Sequence, residues 1–175
     1  MTGSERCANC CDGTMELVSF VIDVRHAAHF PQCVEVLSAV YAHNSYPAYW
    51  PADPVVWLQG ADALGAWVAL DGDTVLGHVG LKQSALADGR EVGEIFRLYV
   101  DPRIQGQGVG RALLDYAVDQ ARACQLRPML RVIPEVGEVT AFYEHLGWRL
   151  HDSRPATSGP LADAGLTVAT YLLEA

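Results

Sequence analysis

EIFRLYVDPRIQGQGVGR, residues 94–111, is the stretch whose reading decides the fold. Its strand begins upstream: Glu91–Val100 carries β-branched, aromatic and aliphatic residues and no proline, which predicts a strand. Asp101-Pro102 ends it, because proline has no N–H to give a sheet ladder. Gly106, Gly108 and Gly110 follow at alternate positions. Val109, Ala112, Leu113, Tyr116, Ala117 and Ala121 then recur at three- and four-residue spacing, one face of a helix. The first N–H groups of a helix have no internal partner and carry the positive end of its dipole, so an anion can take them. Glycine, lacking Cβ, lets the backbone approach a bulky phosphate and adopt positive φ. Arg111 adds a positive charge just inside the helix. Strand, glycine loop and helix together predict a pyrophosphate site.

Two common pyrophosphate loops are excluded. The lysine and Ser/Thr of a Walker A loop are missing, and Arg111 stands where the third glycine of the dinucleotide fingerprint belongs. The spacing Gln105-x-x-Gly108-x-Gly110, preceded by Leu98-Tyr99-Val100-Asp101-Pro102, resembles the acetyl-CoA-binding motif of the GCN5-related N-acetyltransferase (GNAT) superfamily. Ala141-Phe142-Tyr143-Glu144-His145-Leu146-Gly147-Trp148 resembles a second signature of that superfamily, a helix-to-strand turn, with Trp148 where phenylalanine is usual. The two motifs cover about residues 91–152. An asparagine common in the family between them is absent from residues 134–138.

The resemblance implies an α/β (α+β) fold: a mixed, twisted central sheet whose two central parallel strands splay apart, flanked by helices. Acetyl-CoA, the acyl donor, would lie in the wedge. The implied binding set is Leu98, Tyr99 and Val100 on the strand, with Gln105, Gly106, Gln107, Gly108, Val109, Gly110 and Arg111 in the loop. The pantetheine arm would pair with backbone groups of Leu98 and Val100.

Composition sets the bounds. A chain of 175 residues, half of them apolar, predicts one domain with a substantial core. Residues 1–14 are small, polar and aperiodic and read as a flexible leader, with Met15 an alternative start; residues 15–175 read as the domain. No apolar run reaches membrane-spanning length and no signal-peptide pattern is present, so the expected location is the cytoplasm. A formal net charge of −9 argues against nucleic-acid or anionic-membrane partners. It suits a cationic acceptor such as an amine, although its chief effect is solubility. Cys7, Cys10 and Cys11 have metal-like spacing but no second Cys/His pair to complete it, so no metal is expected. Cys33 and Cys124 fall on apolar helix faces and read as small buried hydrophobes.

Residues 16–23 predict a first strand. Residues 30–42 predict a helix with Pro31 in its first turn and Val34, Leu37, Val40 and Tyr41 inward. Residues 41–57 gather Tyr41, Tyr46, Tyr49, Trp50 and Trp57 among three prolines, either as an aromatic wall of an acceptor pocket or as loop anchors. Asp53-Pro54 starts a short helix that Gly60 stops. Residues 66–70 and 74–84 predict a hairpin about Asp71-Gly72-Asp73, with Val75, Gly77, Val79 and Leu81 on one face. His78, on the other, serves either as a proton relay or, more often for such a residue, as structure. Residues 129–133 predict a strand, 138–146 a helix stopped by Gly147, 148–150 a strand, 151–165 a loop and 166–173 the last strand.

By resemblance, the reaction is direct transfer of acetyl to a primary amine of a small molecule. An alkylamine with a pKa near ~10 must lose a proton before it attacks. Glu94, on the central strand facing the acceptor side, is the implied base. An N–H near Leu98 would hold the developing oxyanion. Tyr143 is the implied acid for the departing thiolate. Alternatives are a protein or peptide amine as acceptor, or a non-catalytic acyl-CoA sensor. A homodimer is possible.

Overall fold

The structure, a computed structural model, describes residues 19–136 and 139–174. The expected leader, the 7/10/11 cysteine group and the start of the first strand lie outside the described residues. The element order is β1 (Val21–Val24), α1 (Phe30–Asn44), α2 (Pro54–Gln59), β2 (Ala63–Asp71), β3 (Thr74–Ala85), β4 (Glu91–Val100), α3 (Val109–Ala123), β5 (Arg127–Val132), α4 (Thr140–His145), β6 (Trp148–Pro155), α5 (Gly159–Asp163) and β7 (Thr167–Leu173). Single 3-10 turns at Ala27–His29 and Pro102–Ile104 lead into α1 and the glycine loop. The strands form one seven-stranded sheet in the order β1-β2-β3-β4-β5-β7-β6. Among the described residues, only β4 and β5 pair in parallel.

Apolar residues cover both faces of this sheet. On one face α3 buries Leu113, Leu114, Ala117, Val118 and Ala121 against Val79, Leu81, Ile95 and Leu130. On the other, α1 and α2 bury Cys33, Val36, Leu37, Val40 and Leu58 against Val68, Val75 and Tyr99. Asp53 caps α2, its Oδ1 accepting from the Val56 N–H at 2.9 Å. The hairpin between β2 and β3 closes at Asp71 and Thr74. No helix among the described residues is long and apolar enough to cross a membrane.

Four local expectations are corrected. Tyr41 does not face inward: the buried stripe of α1 runs Cys33, Val36, Leu37, Val40, and Tyr41, one step round the helix, packs on Trp50 at 5.4 Å between ring centroids. Cys124 is exposed, because α3 ends at Ala123 and Cys124 is its cap. Val75 does not share a face with Val79 and Leu81. A bulge puts an extra residue between the Ala69↔Gly77 and Leu70↔Val75 pairs, which turns Val75 toward α1. Residues 151–165 are not all loop: β6 continues to Pro155 in register with β7, and α5 follows. An edge strand tolerates the proline that suggested a loop.

Candidate functional site

A second bulge builds the site. β4 pairs with β3 as His78↔Tyr99 and Gly80↔Phe96, so Arg97 and Leu98 together oppose Val79. Arg97 takes φ +54°, a conformation few non-glycine residues adopt. On its other side β4 pairs with β5 only from Val92↔Arg127 to Ile95↔Leu130. Beyond Ile95 the two strands part. β5 turns to β7, pairing Arg131 with Thr170 and Val132 with Ala169. The edge of β4 from Arg97 to Val100 therefore has no β5 partner.

A cavity of about 900 Å³ occupies this wedge. Leu98, Tyr99, Val100, Gln105, Gly106, Gly108, Val109, Gly110 and Arg111 line it, with Tyr143 opposite and Tyr46, Tyr49 and Trp57 forming one wall. Gln107 and Glu94 are not among the lining residues. The Tyr99 side chain is buried on the α1 face, its hydroxyl donating to the Cys33 carbonyl at 3.0 Å, so this residue offers the wedge its backbone. Gly106 and Gly108 both have φ +84°, and a Cβ on either would meet nothing within 4 Å. Glycine is demanded there by backbone conformation rather than by crowding. Gly108 is the N-cap of α3, which aims that helix's first N–H groups at the loop. Arg111 pairs with Asp115 one turn on, at 2.9 Å.

The aromatic segment divides its labour. Tyr46, Tyr49 and Trp57 line the cavity, while Tyr41 and Trp50 stack on each other. Burial pushes the phenols of Tyr46 and Tyr143 up, Tyr143 to about 12, and the neighbouring Tyr143 adds to the rise at Tyr46. Tyr143 packs edge-on against Phe142 and Trp148, at 5.2 and 6.2 Å. Glu94 is 6% exposed on the opposite sheet face from α3, between Arg131 at 2.6 Å and Lys82 at 3.5 Å. Arg131 itself lines the cavity.

His78 is fully buried and lies behind the bulge, not in the cavity lining. Its Nε2 is 2.8 Å from Arg25 Nη1, which can only donate, so Nε2 accepts and Nδ1 carries the proton. That N–H donates to the Arg97 carbonyl at 2.9 Å. Burial pushes the imidazole down to about 3, against the hydrogen bond to Arg97. A neutral, fixed histidine is structural rather than a relay.

Sequence reasoning did not single out Arg97 or Arg131. Arg97 carried a signal: a lone charge inside the apolar run Ile95-Phe96-Arg97-Leu98 breaks the strand's alternation, as a bulged residue does.

The geometry agrees with comparisons to known proteins. Residues 30–148 match the model of the acetyltransferase (GNAT) family. The mycothiol acetyltransferase of Geodermatophilus obscurus is 38% identical over 93 residues, covering 51% of this chain and 30% of that protein. The chain thus spans about a third of the length of the curated relatives it matches. The structure of Arabidopsis thaliana NAA60 in complex with acetyl-CoA superposes with a TM-score of 0.67 at 15% identity, over 88% of this chain and 97% of that one. The ribosomal-protein-alanine N-acetyltransferase from Brucella melitensis gives 0.67 at 17% identity, over 87% and 98%.

Proposed function

Because the chain belongs to the acetyltransferase (GNAT) family, we propose that it transfers the acetyl group of acetyl-CoA to the primary amine of a small molecule by direct attack. One observation carries this reading. The glycine loop at the start of α3, the unpaired edge of β4, Tyr143 and the aromatic wall all line one cavity. Donor and acceptor can then meet without leaving the site.

The residues fit acetyl-CoA. The N–H groups at the start of α3, exposed by Gly106 and Gly108, suit a pyrophosphate. The edge of β4 past Ile95 suits an extended amide arm, which adds to a sheet as a strand would. Bound there, the donor supplies an acyl carbon activated by its thioester. The chain does the rest. The bulge at Arg97 and Leu98 turns backbone donors toward the place where the carbonyl oxygen gains charge. Tyr143 keeps its proton at neutral pH and gives it to the departing sulfur. Glu94, on the acceptor face, receives the amine's proton through water, with Arg131 linking its carboxylate to the cavity. Tyr46, Tyr49 and Trp57 exclude solvent from the acceptor.

The test is release of CoA thiol from acetyl-CoA by the purified chain over a panel of primary amines, with acetylated product identified by mass. Turnover dependent on Tyr143 supports the reading. Acetyl-CoA binding without turnover on any amine, peptides included, contradicts it in favour of a sensor.

A further inference from the structure

Among the described residues, three arginines line the cavity. Arg111 is paired with Asp115 and Arg131 with Glu94. Arg97 makes no hydrogen bond or ion pair with its side chain among the described residues, and its Nη1 is buried without a partner. No Asp or Glu is among the described residues that line the cavity. The guanidinium carbon lies 4.4 Å from the centroid of the Trp57 ring and 4.8 Å from that of Phe96. Aromatic faces hold a cation but cannot take its in-plane N–H donors. Gly60 permits this packing, since a Cβ there would come within 2.8 Å of Arg97 Nη1. A half-buried cation held this firmly, with the buried Nη1 unmet, is costly unless a ligand shares its charge.

The position of Arg97 says which ligand. Its neighbours are Gly60 and the acceptor wall of Trp57, Tyr46 and Tyr49, with Arg25 and Glu94 within electrostatic reach, and not the glycine loop. An anionic part of the donor belongs at the start of α3. We propose that the acceptor amine carries a carboxylate, as an amino acid does, and that Arg97 binds it. The planar guanidinium fork matches the two oxygens of a carboxylate and gives the acceptor a fixed orientation. The aromatic wall then takes an apolar or aromatic side chain. This inference rests on the acetyltransferase reading above and narrows its substrate.

The experiment compares matched pairs: phenylalanine with 2-phenylethylamine, leucine with 3-methylbutylamine, methionine with 3-(methylthio)propylamine. Phenylalanylalanine, an amine whose carboxylate is one residue farther, separates free amino acids from peptide termini. Thiol release gives kcat/KM for each. The wild-type chain should favour the carboxylate member of at least one pair by about 10- to 100-fold, the worth of a charge-assisted hydrogen-bonded pair. Arg97→Gln should remove that preference through KM for the amino acid, and Arg97→Lys should restore part of it. Equal or better use of the neutral amines by the wild-type chain overturns the proposal, as does a preference that survives Arg97→Gln. Should no pair turn over, tryptophan fluorescence reads binding beside Trp57; no Arg97-dependent change with any of the three amino acids also overturns it. Calorimetry with acetyl-CoA is run alongside: loss of donor binding by the wild-type chain is failure of the acetyltransferase reading, not of this one.

Discussion

The Nδ1–H of His78 donates to the carbonyl oxygen of Arg97 at 2.9 Å, and so a fully buried imidazole holds the bulge that opens the wedge. Its other nitrogen accepts from Arg25, whose guanidinium also donates to the Leu58 carbonyl at 2.6 Å. The residue after β1 is thus tied to α2, β3 and β4 at one point. The tie fixes Arg97 in its positive-φ conformation and points its side chain at Trp57.

This tie predicts a pH dependence of stability. The folded imidazole protonates only near about 3, whereas a free histidine does so near 6.5. Between those values the unfolded chain binds more protons, so the stability contribution is complete above about pH 6.5 and falls as pH drops toward 3. The slope from this residue is up to about 1.4 kcal/mol per pH unit. Chemical denaturation from pH 4.5 to 8 should show it, and His78→Phe should flatten it. The same variant should lose about 1–3 kcal/mol at pH 8, since buried partners are left unpaired. An unchanged slope in His78→Phe would mean the acid sensitivity lies elsewhere.

Tyr143→Phe should lower kcat on the order of 100-fold with little change in acetyl-CoA affinity, because only the proton for the leaving sulfur is removed. Burial holds the phenol at about 12, so it should contribute no alkaline limb to the rate profile below about pH 10. A limb in that range which disappears in Tyr143→Phe would contradict the assignment.

Glu94→Gln separates two roles. Removing the carboxylate leaves Arg131 and Lys82 unpaired and should cost about 1–3 kcal/mol of stability, discounted because both cations are partly exposed. If Glu94 also receives the amine's proton, kcat/KM should fall sharply at pH 7 and recover as pH approaches the amine's own pKa near ~10. Lost stability with an unaltered rate profile would make Glu94 an ion-pair residue only.

The central strand, the glycine loop and α3 were legible because period and punctuation agree there: a proline-free strand, Asp101-Pro102, alternating glycines, then helical spacing. The bulges were not. Pairing shifts by one residue at Leu76 and again at Arg97–Leu98 depend on which strands meet, and strand pairing is non-local. The first shift misassigned Val75, and the second hid Arg97. The aromatic wall was half legible: composition gathered the rings at residues 41–57, but which of them face the cavity depends on how that segment and the end of α2 pack over Phe96. β6 was read short because the strand lies at the sheet edge, where composition is least constrained.

The most direct test is a calorimetric titration of the wild-type chain and Gly108→Glu with acetyl-CoA. Gly108 sits at φ +84° as the cap of α3, so glutamate there brings both strain and a like charge to the proposed pyrophosphate site. The account predicts micromolar binding by the wild-type chain and loss of at least ~100-fold in a variant that keeps its circular dichroism, worth roughly 2.7 kcal/mol. No binding by the wild-type chain, or equal binding by a folded Gly108→Glu, would contradict the assignment of the wedge.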